Sequence, residues 1–386
     1  MAGEEMLYIS GLEADETRKL WHDCFPEDSE SFMNYYYEEK VKDNQLLIKK
    51  QNGFLAAMAH VNPYLMRVKE ELWEIGYIVG VATEESRRHQ GHMRDILLKL
   101  MNDMSAERVP FTFLMPAAKE IYLPFDFTFI YNQPAFKLRD GMQEKLVRTV
   151  CTDTPEDCEK AAEYMMHRLS THYEVYCIRD VNYVSRLIKE LAGENGTLEF
   201  LYDGAELVGL QAYWGTQNRE QRLLYAEDYY IEESAPAKPS IMARITSVEQ
   251  FLLAFRLKAS DRGAMVVKLI VEDPLIENNN QSFFWTLTGD GSRVAVGEEP
   301  RVGEHEEPKV RESEEMVSAA ELKSAAELKP AETASAVVLS LKVQELASWL
   351  FGYKKPEELW PDLNADQLSK LASIDVVGKI FIDEVV

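Results

Sequence analysis

Residues 77–98 read Tyr-Ile-Val-Gly-Val-Ala-Thr-Glu-Glu-Ser-Arg-Arg-His-Gln-Gly-His-Met-Arg-Asp-Ile-Leu-Leu. The opening stretch is rich in β-branched residues and predicts a strand ending at Thr83. Beyond Met93, the apolar residues Ile96, Leu97 and Leu100 predict an amphipathic helix with those three turned inward. A polar loop with Arg87, Arg88 and Gly91 joins the two. Strand, basic glycine-containing loop and helix start together make an anion site. The first helical amides have no intrahelical acceptor, and the macrodipole adds about half a positive charge there. Gly91 permits a positive φ and a close backbone approach. Arg87, Arg88 and Arg94 can give charge-assisted hydrogen bonds to a diphosphate. Spacing alone fits equally well an ordinary strand-to-helix turn with solvated arginines.

Upstream, a helical pattern from Glu16 to Glu39 is broken at Phe25-Pro26, and Asp28 offers an N-cap for its second half. Phe32, Tyr35 and Tyr36 share one face of that half. Asn52-Gly53 predicts a hairpin between strands at Gln45–Lys49 and Phe54–Pro63. A strand at Trp73–Thr83, a helix at Met93–Arg108 and a strand at Phe111–Pro116 complete an α/β layer fold of about 140 residues.

A second unit runs from Val147 to Tyr230. It has helices at Pro155–Thr171 and Val181–Ala192, then strands at Leu198–Tyr202, Glu206–Trp214 and Leu223–Ile231. A third opens with a helix near Ile241 and continues with strands at Ala264–Val271, Ser282–Thr288 and Arg293–Val296. It ends with a helix at Leu341–Phe351 and the apolar segment Ile380–Val386. Between these parts, residues 297–336 hold eleven Asp or Glu against five Lys or Arg and repeat Ser-Ala-Ala-Glu-Leu-Lys in tandem. That composition reads as a solvated, disordered insertion without chemistry.

The formal net charge of −24 disfavours nucleic acid and anionic membrane surfaces. Cationic small molecules and basic peptides remain the electrostatically easy ligands. Cys24, Cys151, Cys158 and Cys177 match no zinc or disulfide spacing, so structural thiols and no metal are expected. The acidic start Met-Ala-Gly-Glu-Glu and the lack of any apolar run of about 18 residues give the expectation of a cytoplasmic chain.

The run Arg88-His89-Gln90-Gly91-His92-Met93 resembles the acetyl-CoA-binding loop, Arg/Gln-x-x-Gly-x-Gly/Ala, of the GNAT superfamily of N-acetyltransferases. Met93 departs from the small last residue, but a bulky one is usual in the Eis-like branch. Also similar to that branch are Pro116 followed six residues later by Tyr122, and the aromatic run Pro124–Tyr131 with Asp126 where glycine is common. So are Met242–Leu252, Leu346–Tyr353 and Glu384-Val385-Val386.

The resemblance implies an α/β (α+β) chain of tandem GNAT folds. Residues 1–140 would be the active, acetyl-CoA-binding domain and 141–239 a central GNAT-like domain without the coenzyme motif. Residues 240–386 would be a sterol carrier protein-like α+β domain holding the insertion. It implies an N-acetyltransferase acting on the primary amine of a cationic acceptor: an aminoglycoside, a polyamine or a lysine-containing peptide. Tyr122 would be the general acid, and the terminal carboxylate of Val386 the base or amine-orienting group. The backbone amides of Val79 and Val81 would hold the pantetheine arm or thioester oxygen, with Gly80 allowing a local splay. Arg87, Arg88, Gly91, His92, Met93 and Arg94 would surround the phosphates, the two histidines, His89 and His92, as loop residues. A homo-oligomer, trimeric or hexameric, is expected. Two other readings compete. A tRNA-dependent aminoacyl transferase of tandem GNAT fold is disfavoured by the acidic charge. A non-enzymatic lipid carrier is disfavoured by the intact loop together with Tyr122.

Overall fold

A computed structural model describes residues 3–215, 219–261, 263–297 and 337–384. The charged insertion beyond Gly297 and the terminal Val386 lie outside the described residues.

The first sheet starts with β1 (Glu4–Ile9), β2 (Gln45–Gln51), β3 (Phe54–Val68), β4 (Glu71–Thr83), β5 (Phe111–Leu114) and β6 (Thr128–Leu138). Asn52 and Gly53 turn β2 into β3 with φ of 55° and 79°. A two-residue turn of that kind matches the twist of the flanking strands. Helix α1 (Asp15–Cys24) packs on β3 and β4, and α3 (His92–Ala106) packs on β2, β3 and β4; between them in sequence lies α2 (Glu30–Tyr35). The cap of α2 differs from expectation. Ser29 Oγ accepts from the Phe32 amide at 3.0 Å, whereas Asp28 accepts from Trp21 Nε1 at 2.7 Å. After Tyr35 the chain widens into a π turn, Tyr36–Lys40, so the expected second helix is shorter and kinked.

The central part supplies β7 (Val147–Val150), β8 (Val175–Cys177), β9 (Thr197–Asp203), β10 (Glu206–Trp214) and β11 (Glu220–Ala226). Its helices, Pro155–His172 and Val181–Gly193, fall where periodicity places them. Strands β11, β10, β9 and β7 form their own sheet over a separate core that includes Met165, Leu187 and Phe200. Strand β8 instead joins the first sheet, pairing with the far end of β3 from Met66 to Val68.

The expected helix near Ile241 is a strand. Residues Ile231–Ile245 form β12, and the helix follows only at Val248–Leu252. β12 inserts between β5 and β6, giving the order β1-β2-β3-β4-β5-β12-β6. Pro236 and Pro239 hide the strand from sequence inspection. They fall in its exposed half, among the register shifts of the β12–β6 pairing, where a missing amide proton is tolerated.

The C-terminal part adds a mixed sheet of β13 (Met265–Glu272), β14 (Ser282–Leu287), β15 (Ser292–Val296) and β16 (Val337–Lys342). The helix expected from Leu341 begins at Val343, after β16. This part shares one core with the first sheet, through Phe111, Phe251 and Phe351 with ring centroids 5.1 to 5.8 Å apart. Phe351→Ala should therefore lower unfolding free energy by about 3–5 kcal/mol in chemical denaturation, the cost of emptying such a buried site.

Candidate functional site

Strands β4 and β5 are registered at one pair, Tyr77 with Phe113. Beyond it β4 continues to Thr83 alongside β3, while β5 is held on its other edge by β12. A bulge falls in the same stretch of β4: Ala82 pairs with Met58, but Val79 pairs with His60, so β4 carries one extra residue. Gly80 sits there at φ 55°, and a Cβ on it would lie 2.4 Å from the Trp21 ring. Only glycine fits both the backbone and that ring. Val79 and Val81 therefore flank the one irregular point of the strand.

The loop after β4 leads to Gly91, the N-cap of α3, at φ 88° and without a side-chain cap. The helical bonds begin with the Asp95 amide donating to the Gly91 carbonyl at 3.0 Å. The amides of His92, Met93 and Arg94 precede that bond, as an anion site requires. A cavity of about 550 Å³ opens here. Of the residues predicted for the coenzyme, Val81, Arg87, Arg88, Gly91, His92, Met93 and Arg94 line it, and Val79 lies deeper, 9 % exposed. Arg87 is tied back to Gln51 Oε1 at 2.6 Å, and Arg88 Nε donates to the Thr83 carbonyl at 3.3 Å. His92 is corrected from a loop residue to the first residue of α3, with its side chain buried.

Tyr122 ends the short helix Lys119–Tyr122 and is buried, its ring edge-on to Phe127. Burial raises its hydroxyl pKa. Its neighbour Ile121, rather than Tyr122 itself, lines the 550 Å³ cavity. Asp126 closes the next turn at φ 61°, a left-handed conformation that aspartate tolerates and glycine favours. The fully buried Arg244 anchors this segment: its Nε donates to the Phe125 carbonyl at 2.9 Å and its Nη2 to Asp273 Oδ1 at 2.6 Å.

The tail forms a separate wall. β17 (Ile380–Phe381) lies parallel to β8, and Ile382, Asp383 and Glu384 that follow are buried. The buried Arg179 pairs with Asp383 at 2.5 Å and also with Glu384. Arg222 donates to the Asp383 carbonyl at 3.1 Å. The tail separates two cavities, of about 620 Å³ with Glu384 on its wall and about 700 Å³ with Asp383, Met115 and Pro116 on its wall. The Tyr77 hydroxyl, beside the Met115 backbone, is raised in pKa by burial, then by the charges of Tyr64 and Glu384. Val386 itself lies outside the described residues. Arg179 and Arg222 were not foreseen; more than 150 residues separate them from the tail they hold, and no spacing rule links them.

Among the described residues, no cluster of three His, Cys, Asp or Glu side chains could hold a metal, and no helix is long and apolar enough to cross a membrane.

Residues 8–130 match the family model for an acetyltransferase (GNAT) domain. The chain thus carries an acetyltransferase domain of the GNAT class, whose members use acetyl-CoA, and is an acyl-transferring enzyme. Among the solved structures that share its fold over nearly the whole chain are three from different bacteria. An Enterococcus faecalis V583 protein described as a probable N-acyltransferase has a TM-score of 0.71 and 13 % identity, covering 98 % of both chains. A GCN5-related N-acetyltransferase of Anabaena variabilis has a TM-score of 0.70 and 13 % identity, covering 97 % of this chain and 99 % of its own. Eis1 of Mycobacterium abscessus has a TM-score of 0.67 and 10 % identity, covering 98 % of this chain and 99 % of its own. No curated protein matches the sequence.

His60, opposite Val79, is fully buried between Trp21, Tyr36 and Tyr37, and burial pushes its pKa down from 6.5 to about 3. The unfolded chain therefore takes up a proton near pH 6.5 that the folded chain refuses until about pH 3. His60 stability is complete above 6.5 and is lost as pH falls through that window. In His60→Leu, the fall of unfolding free energy between pH 6 and 4 should be shallower by about 1.4 kcal/mol per pH unit. Denaturant titrations across that range check this.

Proposed function

We propose that the chain transfers the acetyl group of acetyl-CoA to a primary amine that is cationic in solution, on an aminoglycoside, a polyamine or a lysine-like group. The observation that supports this most is the divergence of β4 from β5 beside the uncapped Gly91 turn, with Arg87 and Arg88 around one cavity. The residues present suit the coenzyme. The amides of His92–Arg94 and the arginines would hold its diphosphate, and the amides of Val79 and Val81 its pantetheine arm or thioester oxygen. Acetyl-CoA supplies an activated thioester.

As the amine nitrogen bonds to the carbonyl carbon, the carbon–sulfur bond breaks, the sulfur gains a proton and the nitrogen loses one. Tyr122 is the proton donor to sulfur, and its burial keeps the hydroxyl protonated through the neutral range. A lysine-like amine with pKa near ~10.4 must give up a proton before it attacks. The negative charge that orients it is, as the resemblance implies, the Val386 carboxylate, carried on a tail that Arg179 holds through Asp383 and Glu384. We read the C-terminal part as the sterol carrier protein-like unit, whose packing against the first sheet seats that tail.

The test is thiol release from acetyl-CoA with a panel of amines. Tyr122→Phe should lower kcat by about 10²–10⁴-fold, the usual worth of a general acid. KM for acetyl-CoA should change little. Because Tyr122 titrates above its ordinary value of 10, kcat/KM should rise with pH toward the amine's own pKa without a Tyr122-dependent fall below pH 10. An unchanged kcat in Tyr122→Phe removes Tyr122 from the chemistry.

A further inference from the structure

The 620 Å³ cavity beside the tail carries an unusual set of hydrogen-bond donors. Tyr36 and Lys40 are the first and last residues of the π turn, and Asn62 and Tyr64 are alternate residues of β3. They therefore meet side by side. Asn44 Nδ2 donates to Tyr36 Oη at 3.0 Å, and Tyr36 Oη donates to Asn62 Oδ1 at 2.9 Å. That relay turns the Asn62 oxygen toward Tyr36 and leaves Asn62 Nδ2 as a donor without a partner among the described residues, on a side chain 1 % exposed. Beside it, Lys40 Nζ donates to Tyr64 Oη at 2.9 Å, which leaves the Tyr64 hydroxyl proton free to donate in turn.

Most charges around this cavity already have ion partners. At its rim, Glu39 meets Lys42 at 3.1 Å and Lys189 at 3.4 Å, and Asp43 meets Arg186. In its depth, Glu190 faces Arg222 at 3.6 Å, and Arg179 holds Glu384. Glu190 and Glu384 attract Lys40 from a distance while Arg186 and Arg222 repel it, and burial lowers its pKa. Among the described residues lining the cavity, Lys40 is a cation with no carboxylate within ion-pair distance. A half-buried ammonium without an ion partner, next to a buried amide donor, is costly unless an oxyanion arrives. Of the acids on its wall, Asp180 at the exposed edge is the one without a cation among the described residues, so a polycation would find little free negative charge.

We propose that this cavity binds an oxyanion, carboxylate or phosphate, carried by the acceptor, through Lys40, Asn62 and Tyr64. The amine acetylated then belongs to a zwitterionic, amino acid-like molecule. This rests on the acetyl-transfer reading and narrows its acceptor class. The oxyanion fixes one end of the acceptor, and the amine lies at the other end, toward the tail side of the cavity.

Matched acceptors separate the charge from the amine. Lysine and cadaverine differ only by the carboxylate, and O-phosphoethanolamine and ethanolamine only by the phosphate. In the unmodified protein, kcat/KM should favour the acid-bearing member of one pair by about ten-fold or more, the factor that ~1.4 kcal/mol represents. The better pair shows which oxyanion is preferred. Lys40→Met should bring that ratio near one. Asn62→Asp, which keeps an oxygen facing Tyr36 but replaces the donor, should bring it to one or below. A ratio near one in the unmodified protein, or a ratio that survives both substitutions, overturns the proposal. Should no amine release thiol, the acetyl-transfer reading fails by itself, and calorimetric titration with lysine and O-phosphoethanolamine still decides. Binding that Lys40→Met abolishes upholds the oxyanion site; no binding of either overturns it.

Discussion

One ladder pair, Tyr77 opposite Phe113, is all the backbone register that β4 and β5 share, and the chemistry of the site depends on that economy. Just before it, Thr112 Oγ1 donates to the Gly76 carbonyl. Two adjacent parallel strands would normally saturate each other's amides and carbonyls. Here β5 is paired along its whole length with β12, four pairs from Phe111 to Leu114, so it stays anchored on that edge where β4 leaves it. The Gly80 bulge then sets the strand's exit, with Trp21 packed where a side chain would otherwise project. A sheet that opens while both strands remain held on their outer edges gives a rigid slot, and rigidity is what transition-state stabilisation by fixed backbone dipoles requires.

The parts of the chain are joined by two different kinds of contact. Aromatic packing around Phe111, Phe251 and Phe351 merges the C-terminal part with the back of the first sheet. The central part is instead tied to the tail by charge, through Arg179, Arg222, Asp383 and Glu384. Burying such a set costs solvation that apolar packing would not, and removing one member would strand the others. What the charges provide is position. They fix the tail as the wall between the two cavities, one bordering the end of β5 and the other bordering α2 and β3.

Local signals were readable and distant ones were not. The strand, loop and helix around Gly91 announce themselves because propensity, a helix start and a glycine act within twenty residues. Asn52-Gly53 is legible for the same reason. β12 was missed because its exposed half, Glu232–Ser240, holds two prolines and lysine, and its apolar half read as a helix start. Its partners β5 and β6 come from about a hundred residues upstream, so only the assembled sheet defines it. Asp28 lost the cap of α2 to its neighbour Ser29 because Trp21 claims the carboxylate, a tertiary contact. The loop residues of the site were named from pattern and resemblance together. The Lys40–Asn62–Tyr64 group could not have been, since it needs a π turn and a strand face brought together in space.

A structure of the protein soaked with coenzyme A tests the central claim most directly. The diphosphate should rest on the amides of His92, Met93 and Arg94 with Arg88 turned toward it, and the pantetheine arm should run along Val79–Val81 into the gap that β5 leaves. Coenzyme A lodged elsewhere, or β4 and β5 zipped together beyond Tyr77 with the slot closed, would contradict it.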